Sequence, residues 1–211
     1  MVWEHPYYPQ YYLPSTAFLG AEERGVKLDR GAPIKDSDGT TIADRHTLSV
    51  GDRSTSDCIT FTHNLTGPAA PLKGLVKINF NAVDRWFEED APIFVHPKDP
   101  FKRVDILPSS RRVQVFVQGR QVADATNSMH LYETGLPVRY YLPMTSVDAS
   151  VLRRSDTLTQ CPYKGEAEYY SVHMKGDNGE DVMLRDVVWF YSRPTLESAK
   201  IEGEFVPFSL L

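Results

Sequence analysis

A stretch of eleven residues, Glu133 to Pro143, carries a dense set of side chains able to do chemistry. Arg139 can bind a carboxylate, a phosphate or an enolate oxygen through two parallel hydrogen bonds. Glu133 can act as a general base if it is partly buried, because burial disfavours a charged carboxylate. Tyr141 can donate a proton or orient a carbonyl group. We therefore take Glu133, Arg139 and Tyr141 as candidate catalytic residues and Tyr140 as a candidate substrate-binding residue.

A second dense stretch follows at Gln160 to Ala167. Its Lys164 can steady an oxyanion or form a Schiff base with an aldehyde. Cys161 is a candidate nucleophile, because a neighbouring cation favours the thiolate, and Tyr163 is a candidate substrate-binding residue. Structural alternatives stay open for these groups. Glu133 can form a buried ion pair with Arg139, and a cysteine such as Cys161 is often an inert small hydrophobic residue.

The elements that must position these side chains are strands and loops. Proline and glycine punctuate both stretches, and neither stretch can run as a helix. Alternating valines predict a hairpin from Arg112 to Asp124 that turns at Gln118-Gly119, and a second hairpin is predicted from Ala167 to Val182. Short helical turns are expected at Val83–Asp90 and Thr195–Lys200. No long segment has a sustained helical period, which predicts an all-β fold of antiparallel sheets.

The chain repeats part of itself. Tyr11-Tyr12-Leu13-Pro14 recurs as Tyr140 to Pro143, and Leu75–Phe80 resembles Val187–Tyr191. In each case an acidic segment and a short apolar strand follow. The order of these landmarks predicts a partial duplication into two similar β lobes, residues 1–107 and 108–211, with Tyr12 and Trp86 of the first lobe as further candidate substrate-binding residues. The alternative is that aromatic residues recur because they suit strands.

The composition limits the possible partners. The chain has 211 residues and a net charge of −5, which disfavours a general nucleic-acid surface because phosphates need a basic stripe. No apolar run approaches the ~20 residues that span a bilayer, and the first residues resemble no secretion signal. The two cysteines and the histidines lack metal-ligand spacing. We expect a cytoplasmic protein with free thiols, no metal, no cofactor and a small-molecule partner.

The motifs together resemble a known family. Glu133 to Pro143, Ser155-Asp156-Thr157 and Cys161-Pro162-Tyr163-Lys164-Gly165 resemble the family called domain of unknown function 427, sometimes labelled nucleotidyltransferase-like. The resemblance covers Arg111 to Phe208, and Trp86–Asp90 and His96–Asp105 resemble members with two copies. It implies a compact fold of coiled antiparallel sheets.

The chain departs from what the nucleotidyltransferase label requires. It has no glycine-rich phosphate cradle followed by Lys and Ser or Thr, so nucleotidyl transfer is the less favoured function. In the N-terminal copy Gln10 stands where Arg139 stands, and no Cys-Pro-Tyr-Lys-Gly occurs. We therefore expect the chemistry in the C-terminal copy or between the copies.

Two classes of function fit these residues. One is a cofactor-independent enzyme that transfers a proton on a carbonyl-containing metabolite, with isomerisation, elimination or carbon–carbon bond rearrangement. The other is a non-catalytic protein that binds a small ligand or another molecule. A pocket lined by the candidate catalytic residues favours the enzyme. A flat surface on which Glu133 and Arg139 satisfy each other favours the binding protein.

Overall fold

The computed structural model divides the chain into two compact units, Met1–Pro97 and Lys98–Leu211. It describes residues 1–176 and 178–207, and the side chains of residues 57–59 and 61 lie outside this description, so the expectation of a free thiol at Cys58 does too. The boundary expected between residues 107 and 108 falls inside a strand, Val104–Ser109. This strand belongs to the C-terminal unit because it pairs along its length with Ser128–Glu133.

Antiparallel strands dominate both units, which confirms the predicted all-β class. The described helical segments are short 3₁₀ turns: Ser15–Phe18, Glu22–Arg24, Gly67–Leu72, Phe80–Ala82, Met144–Ser146, Ala149–Val151 and Leu196–Ile201. The last of them matches the turn predicted at Thr195–Lys200. The helical turn predicted at Val83–Asp90 is wrong, because Trp86–Glu88 pairs with Ala91–Ile93 as a hairpin. No helix in the described part of the chain is long and apolar enough to span a membrane.

The N-terminal unit is built on a five-stranded sheet. Its strands are β1 (Val2–His5), β2 (Tyr8–Gln10), β3 (Tyr12–Pro14), β4 (Val26–Lys35), β5 (Thr41–Val50), β6 (Arg53–Thr62), β7 (Leu75–Ile78), β8 (Trp86–Glu88) and β9 (Ala91–Ile93). The main sheet has the order β3-β7-β6-β5-β4, while β1-β2 and β8-β9 are separate hairpins. Its core centres on Val76, which has no solvent exposure.

The C-terminal unit has three sheets. Its strands are β10 (Val104–Ser109), β11 (Val113–Val117), β12 (Arg120–Ala125), β13 (Ser128–Glu133), β14 (Arg139–Tyr141), β15 (Leu152–Cys161), β16 (Gly165–Lys175), β17 (Asp181–Phe190) and β18 (Phe205–Pro207). Both predicted hairpins are present, as β11-β12 and β16-β17. The sheets β10-β13-β14 and β15-β16-β17-β18 meet where Leu142 and Phe205 exchange backbone hydrogen bonds of 2.7 and 2.8 Å.

Strand alternation places Tyr141 in the core. Successive residues of an extended strand point to opposite faces, so Leu142 joins one cluster of buried residues and Tyr141 joins another. The cluster around Tyr141 contains Leu131, Ala167 and Tyr191, which come from three different parts of the unit. The side chain of Tyr141 has no solvent exposure. Its position is therefore determined by packing on several elements.

The main sheets of the two units share one order of elements. A strand (β3 or β14), two 3₁₀ turns, three long strands, another 3₁₀ turn and a final strand (β7 or β18) follow one another in each unit. By this order β7 corresponds to β18 and β6 to β17. The sequence alignment of Leu75–Phe80 with Val187–Tyr191 is therefore wrong by one strand, because Val187 to Phe190 lie in β17. Duplication of the two lobes stays a prediction.

Candidate active site

A buried ion pair joins the two motif stretches. Glu133 is the last residue of β13, and Lys164 lies in the tight turn between β15 and β16. The Lys164 Nζ and Glu133 Oε2 atoms are 2.6 Å apart, and the two side chains are only 12% and 7% exposed. Glu133 therefore bonds to Lys164 rather than to Arg139, the partner considered from the sequence. Breaking such a pair from one side leaves a charge without compensation.

The ion pair lies at a cavity of about 310 Å³ in the C-terminal unit. All of the candidate catalytic residues except Cys161 line it. The described residues that line it are Glu133, Leu136, Pro137, Arg139, Tyr141, Lys164, Tyr169, Asp186, Trp189 and Tyr191. This combination of one buried ion pair, a guanidinium and three phenols is the convergence of polar groups typical of small-molecule sites. We call it the Glu133 cavity.

The hydroxyl group of Tyr141 is the least satisfied polar group of the Glu133 cavity. It is buried and makes no hydrogen bond of normal geometry with any described residue. Buried tyrosine hydroxyls usually have a partner. Burial is the main cause that raises the pKa of Tyr141; the nearby indole N–H of Trp189 opposes this rise, and the Glu133 charge adds a smaller contribution to it. The group therefore stays protonated and can donate a hydrogen bond.

Arg139 brings a cation to the wall of the Glu133 cavity. It begins β14, directly before Tyr140, and its guanidinium carbon lies 5.7 Å from the centre of the Trp189 ring. Stacking of a guanidinium on an aromatic face leaves its edge groups able to form parallel hydrogen bonds to an anion. This geometry suits recognition of a carboxylate.

Asp186 is a cavity residue that the sequence analysis missed. It lies inside β17 with a φ of 54°, in the left-handed region that non-glycine residues rarely adopt. Hydrogen bonds from Ser155 and Thr157 lower the pKa of its carboxyl group, and the Thr157 Oγ1 donates at 2.8 Å. Such strained positions cluster at functional sites. The Ser155-Asp156-Thr157 motif is thus explained as a support for this carboxylate.

Three aromatic residues of the Glu133 cavity were also missed as site residues. Tyr169 and Trp189 face each other across β16 and β17, and Tyr191 follows shortly after. Burial raises the pKa of Tyr191, with a smaller contribution from Tyr141. The only signal in the sequence was their alternation along strands, which equally suits a plain core. Their role at a cavity depends on the sheet packing.

Cys161 and Tyr163 lie near the Glu133 cavity but do not line it. Cys161 ends β15 and is a half-buried free thiol. The expected activation by a neighbouring lysine loses its basis, since the Lys164 ammonium bonds to Glu133. The Tyr163 hydroxyl accepts a hydrogen bond of 3.0 Å from the backbone N–H of Asp99. This bond holds the turn of Tyr163 to Asp99, and a substrate-binding role for Tyr163 stays a prediction.

Tyr140 lines a different cavity of the C-terminal unit, of about 450 Å³. Arg139 lines this cavity as well. Its most buried polar member is His130, whose Nδ1 accepts from Arg111 at 3.0 Å and whose Nε2 lies 3.1 Å from the Ser128 hydroxyl. Burial lowers the pKa of His130, and the Arg111 charge lowers it further. The remaining lining residues are Arg112, Val113, Gln114, Val115, Phe116, Val138, Val206 and Pro207.

Tyr12 and Trp86, expected as contributions from the first lobe, belong to the N-terminal unit. The Tyr12 hydroxyl donates to Glu4. Trp86 stacks on Phe80, with ring centres 5.2 Å apart, and its indole N–H donates to the Phe80 carbonyl at 2.7 Å. Both residues therefore have partners within their own unit. In the described residues no group of three or more histidine, cysteine or acidic side chains is arranged to hold a metal ion.

Comparison with protein families agrees with the resemblance noted from the motifs. Residues 105–209 match a family model described as a domain of unknown function, DUF427. The chain belongs to the DUF427 family. The matched DUF427 segment begins in β10 and contains every residue that lines the Glu133 cavity. No curated protein matches the chain significantly.

Proposed function

We propose that the C-terminal unit is a cofactor-independent enzyme that transfers a proton on a small carbonyl compound. One observation supports this most directly: the Tyr141 hydroxyl makes no hydrogen bond of normal geometry with a described residue and belongs to the same cavity as the Glu133–Lys164 pair. A carbonyl oxygen of a substrate would supply that partner. The fold would then bear the cost of an unsatisfied hydroxyl only until a substrate binds.

Each polar group of the Glu133 cavity has a place in this reaction. The Glu133 carboxylate takes a proton from the carbon next to the carbonyl group, and the electron pair of that C–H bond moves to the carbonyl oxygen. Tyr141 and Lys164 donate hydrogen bonds to the resulting enolate oxygen, whose charge they stabilise. The proton then returns to a different carbon, or a leaving group departs from the neighbouring carbon. Isomerisation and elimination thus share the first step.

Arg139 indicates that the substrate is an anion. Its position at the cavity wall, stacked on Trp189, suits a carboxylate group of the substrate. The cavity volume of about 310 Å³ limits the substrate to a small metabolite. The net charge of −5 and the free thiol of Cys161 suit a cytoplasmic enzyme with no nucleic-acid partner. We therefore propose a small oxo acid as the substrate class.

A second candidate function is ligand binding without catalysis. It is favoured by the Glu133–Lys164 contact itself, because the Glu133 Oε2 atom already accepts a hydrogen bond from the Lys164 ammonium. In this case Arg139 and Tyr141 would hold the ligand, and no proton would move. Binding and turnover therefore have to be measured separately.

Proton NMR in deuterium oxide tests the proposal. The full-length protein is incubated with a panel of 2-oxo and 3-oxo carboxylates, and loss of the signal next to the carbonyl group reports proton transfer. Tyr141→Phe and Arg139→Lys should each lower the exchange rate at least tenfold, about 1.4 kcal/mol, with little loss of melting temperature. Tyr163→Phe is the control, because its hydroxyl lies outside the cavity.

The outcomes separate the two functions. Exchange that requires both Arg139 and Tyr141 supports the enzyme. Binding of an oxo acid without exchange, weakened by the same variants, supports the binding protein. Full exchange activity in both variants would remove these residues from the mechanism. Absence of both binding and exchange across the panel would overturn the proposed substrate class.

A further inference from the structure

The N-terminal unit repeats the strand register of the C-terminal unit. Val2 pairs with Gln10 as Leu131 pairs with Arg139. Leu13 pairs with Val76 as Leu142 pairs with Phe205. One constant offset in residue number relates all four N-terminal residues to their C-terminal counterparts. Positions in β1, β2, β3 and β7 can therefore be compared one by one with positions in and next to β13, β14 and β18.

The same offset places Glu4 at the position of Glu133 and Tyr12 at the position of Tyr141. Glu4 accepts a hydrogen bond from the Tyr12 hydroxyl and forms an ion pair with the Lys77 ammonium. Burial raises the pKa of Tyr12, and the hydrogen bond to Glu4 adds to the rise. The N-terminal unit thus has its own cluster of a carboxylate, a phenol and an ammonium. Its lysine comes from β7 instead of the turn that holds Lys164.

This N-terminal cluster borders a cavity of about 550 Å³. Lys77 belongs to both, and the cavity as a whole is lined by Tyr8, Gln10, Lys77, Asn79, Phe80, Asn81, Val95 and His96. Tyr8 and His96 stack with ring centres 4.7 Å apart. We call it the Lys77 cavity.

A strained residue lies at the wall of the Lys77 cavity. Val95 has a φ of 66°, and a β-branched side chain adopts this left-handed region only under strain. The surrounding structure must hold this conformation in place, and it presents the following residue, His96, to Tyr8. Strain of this kind is concentrated at ligand-binding sites. The strain at Val95 is observed independently of the register comparison, and both observations indicate the Lys77 cavity as a site.

The lining of the Lys77 cavity differs in charge from that of the Glu133 cavity. Gln10 occupies the position of Arg139, and two further amides are contributed by Asn79 and Asn81. The charge of Lys77 is balanced by Glu4. Side-chain amides donate and accept hydrogen bonds without favouring either sign of charge. The ring of Tyr8 already stacks with both His5 and His96, while the flat ring of Phe80, which stacks on Trp86, suits an aromatic or heterocyclic group.

We propose that the N-terminal unit holds a second small-molecule site, in the Lys77 cavity, for an uncharged polar ligand with a flat ring. The N-terminal unit has Gln10 at the position of Arg139. For this reason we expect an uncharged ligand in the Lys77 cavity and an anion in the Glu133 cavity. This site does not depend on the reaction proposed for the C-terminal unit. It adds a site within the N-terminal unit to the expectation of chemistry in the C-terminal copy or between the copies.

Two fragments of matched size, one neutral and one anionic, test this site. The full-length, ¹⁵N-labelled protein is titrated with benzamide and, separately, with benzoate, up to millimolar concentrations. Benzamide should shift the backbone signals of residues 77–81 and 95–96, and benzoate should leave them unchanged. Asn79→Ala should weaken benzamide binding at least threefold. Asn178→Ala, an exposed amide in the C-terminal unit, is the control and should leave it unchanged.

A gain-of-function variant makes the test decisive. Gln10→Arg should introduce benzoate-induced shifts at residues 77–81, because it restores the guanidinium found at the matching position. Thermal unfolding of each variant establishes that it is folded. Benzamide shifts confined to other parts of the chain, or no shifts at saturation, would overturn the proposal. So would equal responses to benzamide and benzoate in the unaltered protein.

Discussion

Removal of the Tyr141 hydroxyl should stabilise the protein. The Tyr141→Phe variant keeps the ring in its packed position and removes one buried oxygen that has no hydrogen-bond partner in the described structure. A buried polar group left unsatisfied costs about 1–3 kcal/mol. Taking the lower end of that range, we expect the free energy of unfolding to rise by about 1 kcal/mol, or roughly 4 °C in melting temperature.

Tyr163→Phe is a matched control, for which we expect the free energy of unfolding to change in the opposite direction. It also removes one oxygen from a buried tyrosine of the same unit, but that oxygen accepts a hydrogen bond from the Asp99 N–H. Its loss leaves a backbone donor without its partner and should cost about 1 kcal/mol. The difference between the two variants is therefore about 2 kcal/mol, larger than the usual error of such a comparison.

Differential scanning calorimetry is the suitable assay, since two units can give two transitions. The shift should appear only in the transition that belongs to the C-terminal unit, which Trp189 fluorescence can identify when Trp3 and Trp86 are replaced by Phe. A melting temperature that falls in Tyr141→Phe as far as in Tyr163→Phe would refute the reasoning. It would mean that the Tyr141 hydroxyl has a partner in the folded protein.

Further predictions concern the ion pairs and one turn. Lys164→Met should lower the free energy of unfolding by about 3 kcal/mol, and adding Glu133→Gln should recover most of that loss, as a urea-unfolding cycle would reveal. The Arg112 guanidinium lowers the pKa of Asp124 from 3.8 to about 2. The stabilisation of the folded protein by the Arg112–Asp124 pair is therefore present above pH 3.8 and is lost as the pH falls to about 2. In the Asp124→Asn variant the free energy of unfolding should depend less on pH within that window. An unchanged pH dependence would contradict this. Gly165→Ala should destabilise the turn of Lys164, because Gly165 has a φ of +100° and the added Cβ would lie 3.2 Å from a backbone oxygen. A melting temperature equal to that of the unaltered protein would rule out this strain.

The concentration of charged and phenolic side chains in two short stretches of the sequence was enough to find part of the candidate site. Glu133, Arg139, Tyr141 and Lys164 do line one cavity. Their pairing was not predictable, because the contact of Glu133 with Lys164 depends on how the turn between β15 and β16 packs against β13. The sequence distance between them carries no such information.

The residues that sequence reasoning missed share a physical reason. Asp186 owes its position to a left-handed backbone conformation inside a strand, where the flanking Leu184 and Val187 indicate only an ordinary strand. The division between the units was missed for a related reason. The pairing of β10 with β13 joins segments that are distant in the chain, and nothing in β10 itself reveals its partner.

The place of β18 in the C-terminal unit has a consequence for how the chain folds during synthesis. β18 comes last among the strands of its sheet, yet it lies between β17 and the end of β14. A nascent chain therefore exposes one side of the strand with Arg139 and Tyr141 until Phe205 has left the ribosome. The N-terminal sheet closes much earlier, when β7 emerges. Closure by a non-local strand slows folding and leaves an open edge prone to association. Because Leu13 and Val76 are as far apart in the chain as Leu142 and Phe205, each half of the protein has such an open edge while it is being made.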